Sequence, residues 1–291
     1  MDSSLQHFIQ DSLTSTLGTN VQVKKLTALG GGSINHTYRL ETVSEKFFCK
    51  VNSADDFPGM FRKEQHGLEL LARPKCIRVP RVIGNYLDSS RQVLVLEWIE
   101  QGIRTESFWK LFGEQLAALH SNHSASAGLD DDNYMGSLVQ MNNWSDRWVD
   151  FFINYRLKPQ VRLAQQNDLL TDRHIALFES LYTKLNSVFP PEPFSLLHGD
   201  LWSGNFLCDD QSKPVLIDPA VYHGYSCIDL GMTTMFGGFE KMFYSAYHSV
   251  NPFPSNHREQ WAVCNLYPLL IHLNLFGKSY LPEIISTLQD Y

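Results

Sequence analysis

Apolar positions recur at helical spacing over residues 3–17, where Leu5, Phe8, Ile9, Leu13 and Leu17 fall near one face. The period then changes. Val21–Leu29, Ile34–Thr42 and Glu45–Val51 read as strands, with Phe47, Cys49 and Val51 alternating with their neighbours. Gly30-Gly31-Gly32 separates the first two strands as a hairpin tip would. Met60–Ala72 returns to helical spacing and is closed by Pro74, and Val82–Tyr86 and Gln92–Glu97 predict two more strands. Beyond Gly102 the pattern is mainly helical. Thr105 can cap a helix running to about His120, and Trp144–Ala164 and Thr171–Val188 predict two others. Leu196–Asp218 interrupts this with polar and glycine residues between short apolar runs, and helices resume from about Asp229. No internal repeat appears. The reading is α+β: a small β-rich part followed by a larger, mainly helical one, with the boundary near Trp98–Gly102.

Charge sharpens that division. The 291-residue chain carries a formal charge of −7, but unevenly. Residues 1–98 hold twelve basic and ten acidic side chains, whereas 99–291 hold twelve basic and twenty-one acidic ones. Two units are expected, 1–98 and 99–291. With 43% hydrophobic and 19% charged residues the chain can bury a core. An acidic balance disfavours nucleic acid as the main partner, since a phosphate surface calls for a basic stripe. No apolar run is long enough to span a membrane, and the start MDSSLQHFIQDSL does not read as a signal peptide. Five scattered cysteines without CxxC spacing read as buried thiols and not as a disulfide framework. The sequons at Asn35, Asn122 and Asn143 are then read as chance. The expectation is a cytoplasmic protein, monomeric by default.

Several chemistries fail on inspection. A Walker A loop ending at Gly277-Lys278-Ser279 needs glycine at 272, which is histidine, and a dinucleotide fingerprint from Gly30 needs glycine at 35, which is asparagine. There is no HExxH helix and no G-x-S-x-G elbow. His120 and His123 read as a satisfied surface pair, since no further metal ligands accompany them.

What remains is Leu196–Asn205 (LLHGDLWSGN), in which Asn205 follows Asp200 by five residues. Protein-kinase catalytic loops use that spacing, the Asp accepting a hydroxyl proton and the Asn holding magnesium. Thirteen residues after Asn205, the apolar run Val215–Ile217 ends in Asp218, a second oxygen ligand suited to a hard cation. Each piece alone could be an ordinary turn; their order and spacing together point to phosphoryl transfer. The first part supplies the complement. Lys50 ends the strand FFCKV and Glu64 lies fourteen residues later on the predicted helix, a pairing that aims a cation at nucleotide phosphates. Gly30, Gly31, Gly32 and Ser33 would cover those phosphates. Glu97, Trp98 and Ile99, at the end of the strand QVLVLEWI, would form the hinge against adenine, with Glu97 and Ile99 offering backbone groups.

At these residues the chain resembles the fructosamine kinase/ketosamine-3-kinase family, within the kinase-like fold shared with aminoglycoside phosphotransferases. LLHGDLWSGN is the most specific stretch, supported by IDPAVYHG (217–224), MFGGF (235–239), AYH (246–248), NWSDRWVDFF (143–152) and LGGGSIN (29–35). The resemblance implies a bilobal protein-kinase-like fold and ATP- and magnesium-dependent phosphorylation of the 3-hydroxyl of a ketoamine. The phosphorylated adduct then releases its amine, which is deglycation. It further implies that Asp200 accepts the proton, Asn205 and Asp218 hold magnesium, and Lys50 with Glu64 orients the phosphates. The chain departs from the family at two places. Ser33 stands where many relatives have cysteine, so no thiol switch is expected in the glycine-rich loop. Tyr225-Ser226-Cys227 replaces a run that carries a charge pair in relatives. Trp202 could stack on the sugar or could wedge between helices. Two other readings stay open: a kinase for an aminoglycoside, choline or another sugar, and a nucleotide-binding pseudokinase module. The acidic second part suits a cationic sugar-amine acceptor.

Overall fold

Strand alternation in the first hundred residues closes into one antiparallel sheet. The computed structural model describes residues 3–30 and 34–291. Helix α1 (Ser3–Leu17) precedes β1 (Val23–Leu29), β2 (His36–Thr42) and β3 (Lys46–Ser53), followed by α2 (Met60–Ala72), β4 (Val82–Leu87) and β5 (Arg91–Glu97). The sheet order is β1-β2-β3-β5-β4, all pairs antiparallel. On β3, Phe47, Cys49 and Val51 point to the face covered by Leu5, Ile9 and Leu13 of α1. A period of two sends Lys50 to the opposite face. There its register partner Leu94 packs with Phe61 and Leu68 of α2. The alternation that buries the sheet therefore delivers one lysine to the α2 side.

The rest is helical with short strand pairs. It comprises α3 (Glu106–His120), β6 (His123–Ser124), β7 (Asn133–Met135), β8 (Leu138–Gln140), α4 (Trp148–Phe151), α5 (Lys158–Gln166) and α6 (Asp172–Val188). Then come β9 (Phe194–Leu197), β10 (Phe206–Cys208), β11 (Pro214–Leu216), β12 (Tyr222–Gly224), α7 (Cys227–Met232), α8 (Lys241–Val250), α9 (His257–Phe276) and α10 (Leu281–Leu288). Two cores organise it. One joins α4 and α6 to α9 around Trp148, Phe152, Phe178 and Leu270. The other packs Phe108 and Phe112 of α3 against Phe206 and Phe243. Thr105 caps α3 as expected, accepting from Phe108 N. The helix expected from Trp144 begins only at Trp148, because the backbone of Ser145 is spent on a two-bond bridge with Ala127. It passes through a π-helical stretch, Phe152–Leu157, into α5. All five cysteines are free, and four are buried, with Cys76 partly exposed. No helix among the described residues is long and apolar enough to cross a membrane.

Arg78 ties the sheet to the helical part. Its Nη2 donates to Glu97 Oε1 and its Nη1 to Asp209 Oδ2, both at 2.6 Å, and Asp209 is 2% exposed. Arg78→Met should lower unfolding free energy by roughly 1 kcal/mol, because the guanidinium is partly solvated although its partner is not. Urea denaturation monitored by tryptophan fluorescence measures it.

Candidate active site

The catalytic-loop segment is held by a buried carboxylate behind it. Asp229 on α7 accepts from the backbone N–H of His198 (2.7 Å) and Gly199 (2.8 Å), and its Oδ2 lies 3.1 Å from His120 Nε2. Burial works against this charge, but the hydrogen bond from His120 and the backbone donors hold the carboxyl below its usual range. His120 is thus fully buried between Asp229 and the Tyr247 hydroxyl, which corrects its reading as a surface histidine. His123 is the exposed member of that pair. His198 is also buried, which depresses its pKa and keeps it neutral. Its Nε2 donates to Ile217 O (2.8 Å) and its Nδ1 accepts from Asp200 N (3.2 Å), so one tautomer fixes the loop to the strand before Asp218.

Gly199 has φ +83°, and a Cβ there would lie 2.0 Å from Ala220 O. Both the turn and the close approach exclude a side chain. Gly199→Ala should destabilise the fold by about 1–3 kcal/mol and displace Asp200. Thermal melts and turnover measured together check this.

The β10–β11 hairpin brings the next two groups side by side. Phe206 pairs with Leu216, and Ile217 N donates to Asn205 O at 3.1 Å. Asn205 Nδ2 donates to both Asp200 O (2.8 Å) and Asp200 Oδ2 (2.9 Å). The amide nitrogen is committed, which leaves Oδ1 for a cation. Asp218 sits in the left-handed region at φ 55°, a costly conformation for a non-glycine residue. Its Oδ1 accepts from Lys50 Nζ at 2.8 Å, and its side chain is 42% exposed. Lys50 Nζ also contacts Glu64 Oε1 at 2.7 Å. Burial opposes the Lys50 charge, but Asp218 and Glu64 outweigh it, so the ammonium stays protonated well above its ordinary range. Burial pushes the Asp200 carboxyl up to about 7; Asp218 and Asp229 add to this, and the Asn205 hydrogen bond opposes it. A base near 7 suits proton transfer at neutral pH.

Asp200, Asn205, Asp218, Lys50, Glu64 and Trp202 share one cavity of about 230 Å³. Oxygens of Asn205 and Asp218 form the hard donor set that magnesium takes, usually with phosphate and water completing its shell. The described residues hold no group of three or more His, Cys, Asp or Glu side chains placed for a metal. Trp202 is 36% exposed and meets Phe236 edge-on at 5.6 Å, so it faces the cavity and is not a wedge in the core. Gly30 is an exposed bend, whereas Gly31, Gly32 and Ser33 lie outside the described residues. The hinge positions stand apart from this cavity. Ile99 is buried, Glu97 N donates to Arg81 O at 2.9 Å, and Glu97 and Trp98 line a separate depression beside Arg81. Sequence reading missed the opposite wall: Lys63, Tyr134 and Met135, with His272 and Phe276 from α9. Nothing in their local sequence marks them, since only tertiary packing brings α9 and the β7–β8 hairpin to Asp200.

A family model described as fructosamine kinase matches residues 5–291. The chain belongs to the fructosamine kinase family. A protein of Synechocystis sp. named a probable ketoamine kinase is 37% identical over 94% of this chain and 92% of its own. The chloroplastic protein-ribulosamine 3-kinase of Arabidopsis thaliana is 35% identical over 95% of this chain and 85% of its own. A solved Haemophilus somnus structure, provisionally named a fructosamine-3-kinase, superposes with a TM-score of 0.90 at 27% identity, covering 98% and 96% of the two chains. The aminoglycoside phosphotransferase APH(4)-Ia shares the fold, with a TM-score of 0.63 at 14% identity over 99% of each chain. The fructosamine kinase assignment makes the chain a kinase and confirms the kinase-like fold with its sheet-based first lobe and helical second lobe.

Proposed function

We propose that the chain phosphorylates the 3-hydroxyl of ketoamines, sugar–amine adducts of the fructosamine and ribulosamine type, using ATP and magnesium, and so promotes deglycation. The convergence of Asp200, Asn205, Asp218 and the Lys50–Glu64 pair in one cleft carries this reading. Asp200 accepts the hydroxyl proton while the freed oxygen attacks the γ-phosphorus, and ADP departs. Asn205 orients Asp200 through Nδ2 and, with Asp218, would hold magnesium through oxygen. When bound, magnesium supplies neutralisation of phosphate charge. Lys50, aimed by Glu64, meets the phosphates, with Gly30 to Ser33 as the loop over them. Residues 1–98 form the nucleotide lobe, with 97–99 as the hinge, and residues 99–291 form the acceptor lobe. Most of the barrier reduction comes from positioning and electrostatics. Trp202 offers its face to the C–H groups of the sugar.

The deciding experiment is a kinase assay on ribulosamine and fructosamine adducts of lysine with the product identified by phosphorus NMR. A 3-phosphate on either adduct is the expected result. Absence of ATP-dependent phosphorylation of every ketoamine tested overturns the reading.

A further inference from the structure

The glycine-rich turn leads into Asn35, whose side chain is held from behind. Asn35 directly precedes β2, next to the register pair His36–Val51, and Asn52 of β3 lies opposite it. Asn52 follows Lys50 by two residues and therefore shares its face of the sheet. It is 5% exposed, and its Nδ2 lies 2.8 Å from Asn35 Oδ1 and 3.2 Å from Met60 Sδ. A thioether sulfur only accepts, so the Asn52 atom beside it is the donating nitrogen. Turning this amide round would set oxygen against sulfur. It would also strand two buried N–H groups where Asn52 Oδ1, a single acceptor, now has no partner among the described residues.

The orientation of Asn52 fixes that of Asn35. With Oδ1 of Asn35 taken as acceptor, the other arm of its amide is a nitrogen with two donors. That nitrogen has no partner among the described residues and is not shielded from solvent. Asn35 lines the catalytic cavity with Thr37, Lys50, Asp200 and Asp218. Thr37 Oγ1 donates to Leu29 O at 3.2 Å, so the turn is pinned at its root as well. Thr37 is the register partner of Lys50, and Asn35 stands two residues, about 7 Å, further towards the turn. A group that meets both Lys50 and Asn35 must be extended and rich in oxygens that only accept. Non-bridging phosphate oxygens fit this, whereas sugar hydroxyls bring donors of their own. We propose that Asn35 Nδ2 donates to a non-bridging oxygen of the nucleotide's β- or γ-phosphate. Asn52 is the positioning residue that keeps nitrogen, and not oxygen, turned to it. The inference rests on the use of ATP proposed above.

Calorimetric titration of wild type, Asn35→Asp and Asn35→Ala with ATP, ADP and AMP in the presence of magnesium tests this. Asn35→Asp keeps an oxygen to accept from Asn52 but puts a second oxygen where the donors stood. Asn35→Ala loses both arms. A phosphate contact ranks ATP affinity wild type, then Ala, then Asp, with Asp weakened about tenfold or more, as loss of a charge-assisted hydrogen bond requires. AMP binding, the KM for ketoamine and the melting temperature should stay at the wild-type level in Asn35→Asp. A loss shared by ADP assigns the β-phosphate, and a loss confined to ATP assigns the γ-phosphate. A tether that only shapes the turn ranks the proteins wild type, then Asp, then Ala, and that order overturns the proposal. Equal weakening of AMP overturns it too. Asn52→Asp accepts from Asn35 where Asn52 donated, so it should turn the Asn35 oxygen to the cavity and weaken ATP likewise. Wild-type ATP affinity in folded Asn52→Asp removes the positioning role. A wild type that shows the expected ranking but phosphorylates no ketoamine supports the phosphate contact and overturns only the acceptor assignment.

Discussion

Asp200→Asn should lower kcat for the ketoamine by about 10²–10⁴, the usual worth of a positioned general base, with little change in nucleotide affinity. The argument is geometric. Asp200 Oδ2 accepts from Asn205 Nδ2 at 2.9 Å, and the Asp200 backbone is fixed through His198. The Asn side chain fits the same space but takes no proton. Its amide would also face the amide of Asn205, so one of the two must turn. Steady-state kinetics with a parallel nucleotide titration separates the outcomes. A variant with wild-type kcat removes Asp200 from the base role, and a variant that no longer binds nucleotide shows a structural role instead.

Asp229→Ala should have the largest effect on the fold itself. Its removal strands three buried donors: the N–H groups of His198 and Gly199, and Nε2 of His120. Losing the acceptor of such a buried network costs about 3–5 kcal/mol. The catalytic loop then loses its anchor, so turnover should fall together with stability. Urea unfolding of wild type, Asp229→Ala and Asp229→Asn measures the first effect. The pH dependence gives an independent check. The folded carboxyl is held below its usual range. Its contribution is therefore complete above the unfolded value of about 3.9 and is lost as pH falls through the lower, folded value. Wild-type stability should decline on that acid limb, and Asp229→Asn should lack this component. A parallel decline in both proteins would deny Asp229 its place in the brace.

The sequence made the chemistry visible where it is local and hid it where it is tertiary. Asp200, Asn205 and Asp218 fall within nineteen residues, and hairpin pairing of Phe206 with Leu216 is enough to bring them together. Lys50 was legible because strand period two leaves it opposite the buried Cys49 and Val51, and Glu64 because a helix follows at the right distance. The bracing role of Asp229 depends on a partner, His120, that the sequence does not mark. A histidine ending a helix looks solvated until Tyr247, more than a hundred residues away, closes over it. Arg156 is a similar case. Nothing in its local sequence marks it as buried, yet its guanidinium lies 3.9 Å from the centre of the Tyr222 ring and donates to Asn142 Oδ1 at 2.7 Å. The start of α4 was misplaced because the Ala127–Ser145 bridge, a long-range pairing, outcompetes local helix propensity.

Lys50 joins two lobes with one ammonium: Glu64 belongs to the sheet lobe, and Asp218 closes a hairpin of the helical one. In protein kinases the corresponding lysine–glutamate pair is assembled under the control of activation-loop phosphorylation and helix position. Here Lys50 meets Glu64 at 2.7 Å, and the same cation reaches Asp218 on the far side of the cleft at 2.8 Å. A kinase wired this way rests with a single buried cation latching the sheet part to the helical part.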